Sequence, residues 1–356
     1  MTLRPRSDGS AVVGRPFRTP ELLRPVGNSR WGMAAALAVA LGAVLAGTAL
    51  SGRAEWGSGV GLGFVLIAVP EIPATWPSAL RTMGVRAVTV LAGGALVIAC
   101  AHNTVALAGL TMGAAIAGAL IPGVGATAGL AVVLMSIDLD QHATSTAALW
   151  PYLVGIVIVF ASWAVWFAIS RLRRRAEEEP LPRASAASVG HAARVGVAVG
   201  LAVSVAALLP ADMVGGHWLV TSVLLTIQPS RAQTGLRLAQ RLSGNAVGAV
   251  IAAVLLGTQP SAPVVIGLTV ALFLIAMALR PVNYTWWAIT GPPVLLVISE
   301  YPNLFPWYEG AVRLVMNFVG ALIVVLMVFV APLVVPTWLQ RREFRLGRGG
   351  DVPSRT

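Results

Sequence analysis

The residues best suited to chemistry are arginines. Arg231, Arg237 and Arg241 fall within eleven positions, after Gln228-Pro229 and before the glycine-bearing apolar run that starts at Gly244. On a helix Arg237 and Arg241, four apart, share one face. A guanidinium meets a carboxylate through two parallel N–H bonds, so such a strip would draw an anionic ligand. The same strip would serve equally as an anchor on lipid phosphates, and the spacing does not choose between the two. Arg280 precedes Tyr284, Trp286 and Trp287. These read either as interfacial aromatics or as a stacking wall for an aromatic ligand beside the Arg280 cation. Gly291-Pro292-Pro293 then interrupts the same apolar run, the kind of break that marks binding sites in transporters.

Carboxylates are scarce. Glu71, between Pro70 and Pro73, is the candidate for a proton-coupling group or for an ion pair with Arg81 or Arg86. Such an acid near a span is costly to bury and therefore informative. Asp138, Asp140 and His142 make the one metal-like cluster. A hard cation needs more oxygen ligands than that, and the segment reads as an external loop, so no metal or other cofactor is expected. The chain has no lysine, which removes the phosphate-binding loop of an ATPase. Its single cysteine, Cys100, lies in an apolar run and has no partner for an internal disulfide.

Membrane helices must position these residues. Of 356 residues, 57% are hydrophobic and 11% charged, against about 25% charged in soluble domains; the mean hydropathy is +0.80. A chain this apolar cannot cover itself with a wetted surface. In lipid only helices or a closed barrel satisfy the backbone, and the Ala/Leu/Val/Gly runs lack two-residue alternation. The fold class is therefore an all-α polytopic membrane protein of about twelve transmembrane helices. The spans read as 33–50, 57–69, 85–101, 105–121, 126–137, 149–170, 191–209, 218–227, 244–256, 264–279, 284–298 and 311–335. Three of these, 57–69, 126–137 and 218–227, are shorter than the roughly 20 residues a crossing needs. The first run is too long for a typical signal-peptide core.

Charge sets the orientation. With twelve spans and cytoplasmic termini, 23 of the 25 arginines fall inside and only Arg53 and Arg313 outside, as the positive-inside rule requires. The net charge of +11 is thus explained by loops beside a bilayer, and no nucleic-acid partner is expected. The domains read as an Arg-rich tail 1–30, a first membrane half 31–170, a linker 171–190, a second half 191–338 and a tail 339–356. A shift of about 155 residues brings Arg86 onto Arg241 and Gly93 onto Gly248. Six spans per half is an even number, so the halves form a parallel repeat with a site between them. Four G-x-x-x-G pairs, 59/63, 109/113, 196/200 and 244/248, predict close helix packing.

The stretch from Gly216 to Leu256 carries a resemblance. His217-Trp218, Gln228-Pro229-Ser230, Thr234-Gly235, Arg237, Arg241, Gly244 and Gly248 resemble the fusaric acid resistance-like (FUSC) family of integral membrane transporters, with a diluted echo in Trp76-Pro77, Arg81 and Arg86. The resemblance implies export of aromatic or other organic acids. The expected activity is gradient-driven anion export across a bacterial inner membrane, not enzymatic catalysis. The expected ligand-binding residues are Arg231, Arg237, Arg241, Gln228, Trp218, Arg280 and Trp287, with Glu71 as coupling group. The expected partners are the bilayer and a small organic anion, and homo-oligomerisation stays open. An anion channel on a related scaffold, a membrane-embedded enzyme acting on lipid-linked substrates and a non-transporting membrane subunit are the competing readings.

Overall fold

The computed structural model describes residues 22–53, 56–68, 75–121, 123–140, 145–173, 189–209, 215–258, 260–300 and 308–334. Twelve helices of more than ten residues occur among them: α1 Trp31–Leu50, α2 Trp56–Ile67, α3 Trp76–Cys100, α4 Thr104–Leu120, α5 Thr127–Asp140, α6 Trp150–Arg173, α7 Val189–Ala207, α8 Gly216–Thr226, α9 Arg231–Gly257, α10 Ala262–Leu279, α11 Tyr284–Glu300 and α12 Glu309–Val325, the last continued through a π-helical stretch, Leu326–Val330. Among the described residues seven helices are long and apolar enough to cross a membrane: α1, α3, α6, α7, α9, α10 and α12.

Local chemistry sets the helix ends. Pro77 and Pro263 stand in the first turns of α3 and α10, where the missing N–H costs nothing. Asn103 caps α4 by accepting from the Ala106 N–H at 2.9 Å. Gly123 and Gly125, at φ 87° and 54°, turn the chain into α5. The Gln228-Pro229 turn is closed by Thr234, which is fully buried; its hydroxyl accepts from the Gln228 N–H at 3.0 Å and donates back to the Ser230 carbonyl at 2.9 Å. Gln-Pro through Thr-Gly is therefore the joint between α8 and α9.

α5, at 14 residues, falls short of a crossing, and two helices are shorter still. α2 has 12 residues and α8 has 11, about 18 and 16 Å of rise against a hydrocarbon core of about 30 Å. Both are buried along nearly their whole length. That is the condition under which a chain end inside a membrane is tolerated, because neighbouring protein, and not lipid, meets its polar backbone.

The helix starts recur at offsets of 155 to 160 residues, and the packing recurs with them. α2 packs on α6 as α8 does on α12; α3 packs on α5 as α9 does on α11; α4 packs on α5 as α10 does on α11. Between the two sets the contacts are exchanged: α1 lies on α10 and α4 on α7, while α2 meets α11 and α5 meets α8. The apolar core follows the same exchange. Phe273, Met277, Val294 and Ile298 of α10 and α11 belong to the cluster built mainly by α1, α2, α3, α5 and α6.

Glycines permit the closest of these approaches. A Cβ at Gly155 in α6 would stand 2.1 Å from the Val60 carbonyl oxygen of α2. A Cβ at Gly248 in α9 would stand 2.4 Å from the Ile289 oxygen of α11. Of the four G-x-x-x-G pairs, 59/63 and 244/248 thus sit at tight helix contacts. Gly196 and Gly200 meet the side chains of Ile116 and Met112, and Gly109 and Gly113 face open space.

Three sequence expectations change. Gly291-Pro292-Pro293 does not end a helix: α11 continues through both prolines. Asp138 and Asp140 lie in α5, not in a loop; the Tyr152 hydroxyl donates to the Asp138 carboxylate, and His142 lies outside the described residues. Residues 22–30 are tied down, not a free tail. The Val26 N–H donates to the Val282 oxygen at 2.8 Å and the Arg30 N–H to the Ala278 oxygen at 3.0 Å, while Thr285 Oγ1 donates to the Leu22 oxygen at 2.7 Å.

Candidate functional site

A cavity lies where the two sets of helices meet. Its walls come from α2, α3 and α5 and from the helices six further on, α8, α9 and α11, with α12 closing one side. Its volume is about 100 Å³, room for a handful of waters or one small ligand. Arg86 and Arg241 each stand ten residues into their helices, about 15 Å from the helix start, half the thickness of the hydrocarbon core.

Four arginines line this space: Arg86 from α3, Arg241 from α9, Arg280 at the end of α10 and Arg313 from α12. No acidic residue lines it among the described residues. Arg241 and Arg313 are each only 8% exposed. Burying an ion costs several kcal/mol unless a counter-charge and hydrogen bonds compensate.

The compensation here is partial and neutral. Arg241 donates from Nη1 to the Tyr284 hydroxyl and from Nη2 to Asn317 Oδ1, both at 3.1 Å. Arg313 donates from Nη1 to the Pro292 carbonyl at 2.8 Å and lies 3.6 Å from the ring centre of Trp218. Arg280 stands 4.8 Å from the ring of Trp287. Cation–π contacts of this kind stabilise a cation without neutralising it.

Five buried donors lining the cavity have no acceptor among the described residues: Arg86 Nε, Trp218 Nε1, Arg241 Nε, Asn245 Nδ2 and Arg313 Nε. A buried donor left unmade costs about 1–3 kcal/mol, more when charged. Clustered orphan donors with positive charge, and no carboxylate among the described residues, are the hydrogen-bonding complement an anion needs. Trp218 and Trp287 add ring faces to the same wall, so an aryl or alkyl body can pack beside the charged end.

The sequence-derived site residues divide into two groups. Arg241, Trp218, Arg280 and Trp287 come together in the cavity. Arg237, Arg231 and Gln228 do not line it. Arg237 lies 3.6 Å from the ring centre of Tyr284, the residue whose hydroxyl holds Arg241. Arg231 is exposed at the head of a shallow apolar groove formed with Leu238, Leu242 and Phe329. Gln228 belongs to the α8–α9 joint. Glu71 lies outside the described residues.

Arg86, Asn245, Arg313 and Asn317 line the cavity but are not among the expected ligand-binding residues. Charge bias assigned Arg313 to the external side, whereas it is buried within α12. A signal was present: α9 reads Arg241-Leu-Ser-Gly-Asn245 and α12 reads Arg313-Leu-Val-Met-Asn317. Arg and Asn four apart share a helix face, and two such pairs in apolar runs mark two faces turned to a common polar site.

Residues 197–327 match the family model described as fusaric acid resistance protein-like. This FUSC-like segment runs from α7 into the π-helical end of α12 and holds every cavity-lining arginine except Arg86. The seven apolar helices among the described residues indicate a multi-pass membrane protein, and the matched segment is similar to fusaric acid resistance proteins. No curated protein and no solved structure matches the chain.

Proposed function

We propose that this protein is a gradient-driven exporter of organic anions, aromatic carboxylates among them, in a bacterial inner membrane. In this reading two parallel six-helix repeats, joined by residues 171–190, cross the membrane with both termini cytoplasmic. The anion binds between them, and the repeats rock about it to expose it on alternate sides. The observation that carries the proposal is the cavity itself, with Arg86, Arg241 and Arg313 presenting buried N–H groups that lack acceptors. The recurrence of helix starts and packing six helices on supports the repeat, and the FUSC match supports transport. Glu71 is the coupling group in this scheme, and homo-oligomerisation is compatible with it.

The test is flux of radiolabelled benzoate in proteoliposomes holding the full chain, with and without an imposed proton gradient. The expected result is gradient-dependent flux that Arg241→Gln abolishes and that Glu71→Gln uncouples from protons. Flux that follows only the benzoate gradient would replace the carrier by a channel. No flux across a panel of aryl and alkyl carboxylates would overturn the proposal.

A further inference from the structure

Arg313 differs from the other cavity arginines in what it holds. Its Nη1 grips the Pro292 carbonyl of α11, and its guanidinium lies on the Trp218 ring of α8. Its own carbonyl accepts from Asn317 Nδ2 at 2.7 Å, and Asn317 Oδ1 is the acceptor for Arg241 of α9. One side chain and its helix turn therefore link α8, α9 and α11 around the cavity, while Arg313 Nε stays without an acceptor.

The gripped carbonyl sits in the weakest turn of α11. Pro292 and Pro293 have no N–H, so the carbonyls of Ala288 and Ile289 lose their normal donors four residues on. The helix passes through the double proline, but two rungs of the ladder that would stiffen it are missing, a recognised cause of kinks. Arg313 braces α11 from outside at this point.

We propose that Arg313 is a positioning residue that couples anion binding to the shape of α11: a bound anion draws its guanidinium off the Pro292 carbonyl, and the unbraced helix bends at the double proline. This rests on the anion-carrier reading above. The bond to Pro292 sets a cation against a neutral carbonyl, whereas an anion adds the opposite charge and takes two N–H bonds of the guanidinium in parallel, so the anion outcompetes Pro292. A ligand shifts a conformational equilibrium only through a difference in its interactions with the two states. The Arg313–Pro292 bond, made in one state and broken in the other, supplies that difference.

The experiment compares equilibrium binding and proteoliposome flux of labelled benzoate for the wild-type chain, Arg313→Lys and the double variant Pro292→Ala/Pro293→Ala. A lysine keeps the charge but lacks the planar fork needed to exchange a fixed carbonyl for an anion. Binding should weaken, because Arg313 lines the anion site, but flux should fall roughly tenfold further than binding does. The double alanine leaves the cavity arginines in place, restores the two missing N–H groups and should give the same split, flux slowed by more than affinity is weakened, in a chain whose helix is strengthened. Equal proportional loss of binding and flux in both variants, or unchanged flux in both, would overturn the coupling role. Failure of the wild-type chain to bind benzoate or any other carboxylate of the panel would overturn the anion reading and this inference together.

Discussion

Arg86 in α3 and Arg241 in α9 stand 155 residues apart, each ten residues into its helix, and both reach the cavity. One turn further on the helices part company. α3 places Val90, fully buried in the apolar core, where α9 places Asn245, whose amide nitrogen is buried without an acceptor. The contrast continues between α6 and α12. Arg313 and Asn317 occupy α12, and the positions 159 residues earlier in α6 are Val154 and Ile158. The scaffold is shared between the two sets of helices, while the polar and charged lining of the cavity is concentrated in the second. The first set supplies apolar packing and a single guanidinium facing three.

Substitutions can break this asymmetry or sharpen it. Arg241→Gln should have the largest effect, a loss of about a hundredfold in benzoate affinity, in keeping with the 2–5 kcal/mol seen when one partner of a buried charge pair is truncated. Arg86→Gln should cost less, roughly tenfold, because its wall has no asparagine pair to share the anion. Asn245→Val copies the first-half residue into the second. It should weaken binding about threefold while leaving the unliganded protein equally stable, or more stable by about 1 kcal/mol, since it removes an unpaired buried amide; a thermal melt with and without benzoate reads both effects. Arg237→Gln should change affinity by less than about twofold, because Arg237 rests on the Tyr284 ring and does not line the cavity. A tenfold loss there would move the site toward the end of α9 where Arg231 is exposed.

Much of the fold is legible in the sequence because bilayer physics leaves few choices. Apolar runs must be helices, and the twelve runs correspond to the twelve helices described. The short runs 57–69 and 218–227 are short in the structure too, and it is burial by neighbours that allows it. The site is legible in part. Arg241 and Arg237 share a helical face by spacing, yet the burial gradient along α9 puts only Arg241 in the cavity. Spacing gives the face of a helix and not its depth. Arg313 was hidden for a related reason: charge bias sorts arginines by loop and is blind to one that belongs inside a span. Gln228 shows the converse. Its prominence in the family-like pattern reflects a turn that Thr234 closes, not contact with the cavity.

The cavity between the two sets of helices is expected to bind an anion through Arg86 and Arg241 together. Equilibrium dialysis of labelled benzoate against the full chain in lipid nanodiscs tests it most directly, with the wild type beside Arg86→Gln, Arg241→Gln and the double variant. Saturable binding to one site per chain is expected, weakened by each single substitution. The double variant should lose less than the sum of the two losses, because both groups hold the same ligand. Saturable binding that neither substitution alters would contradict it.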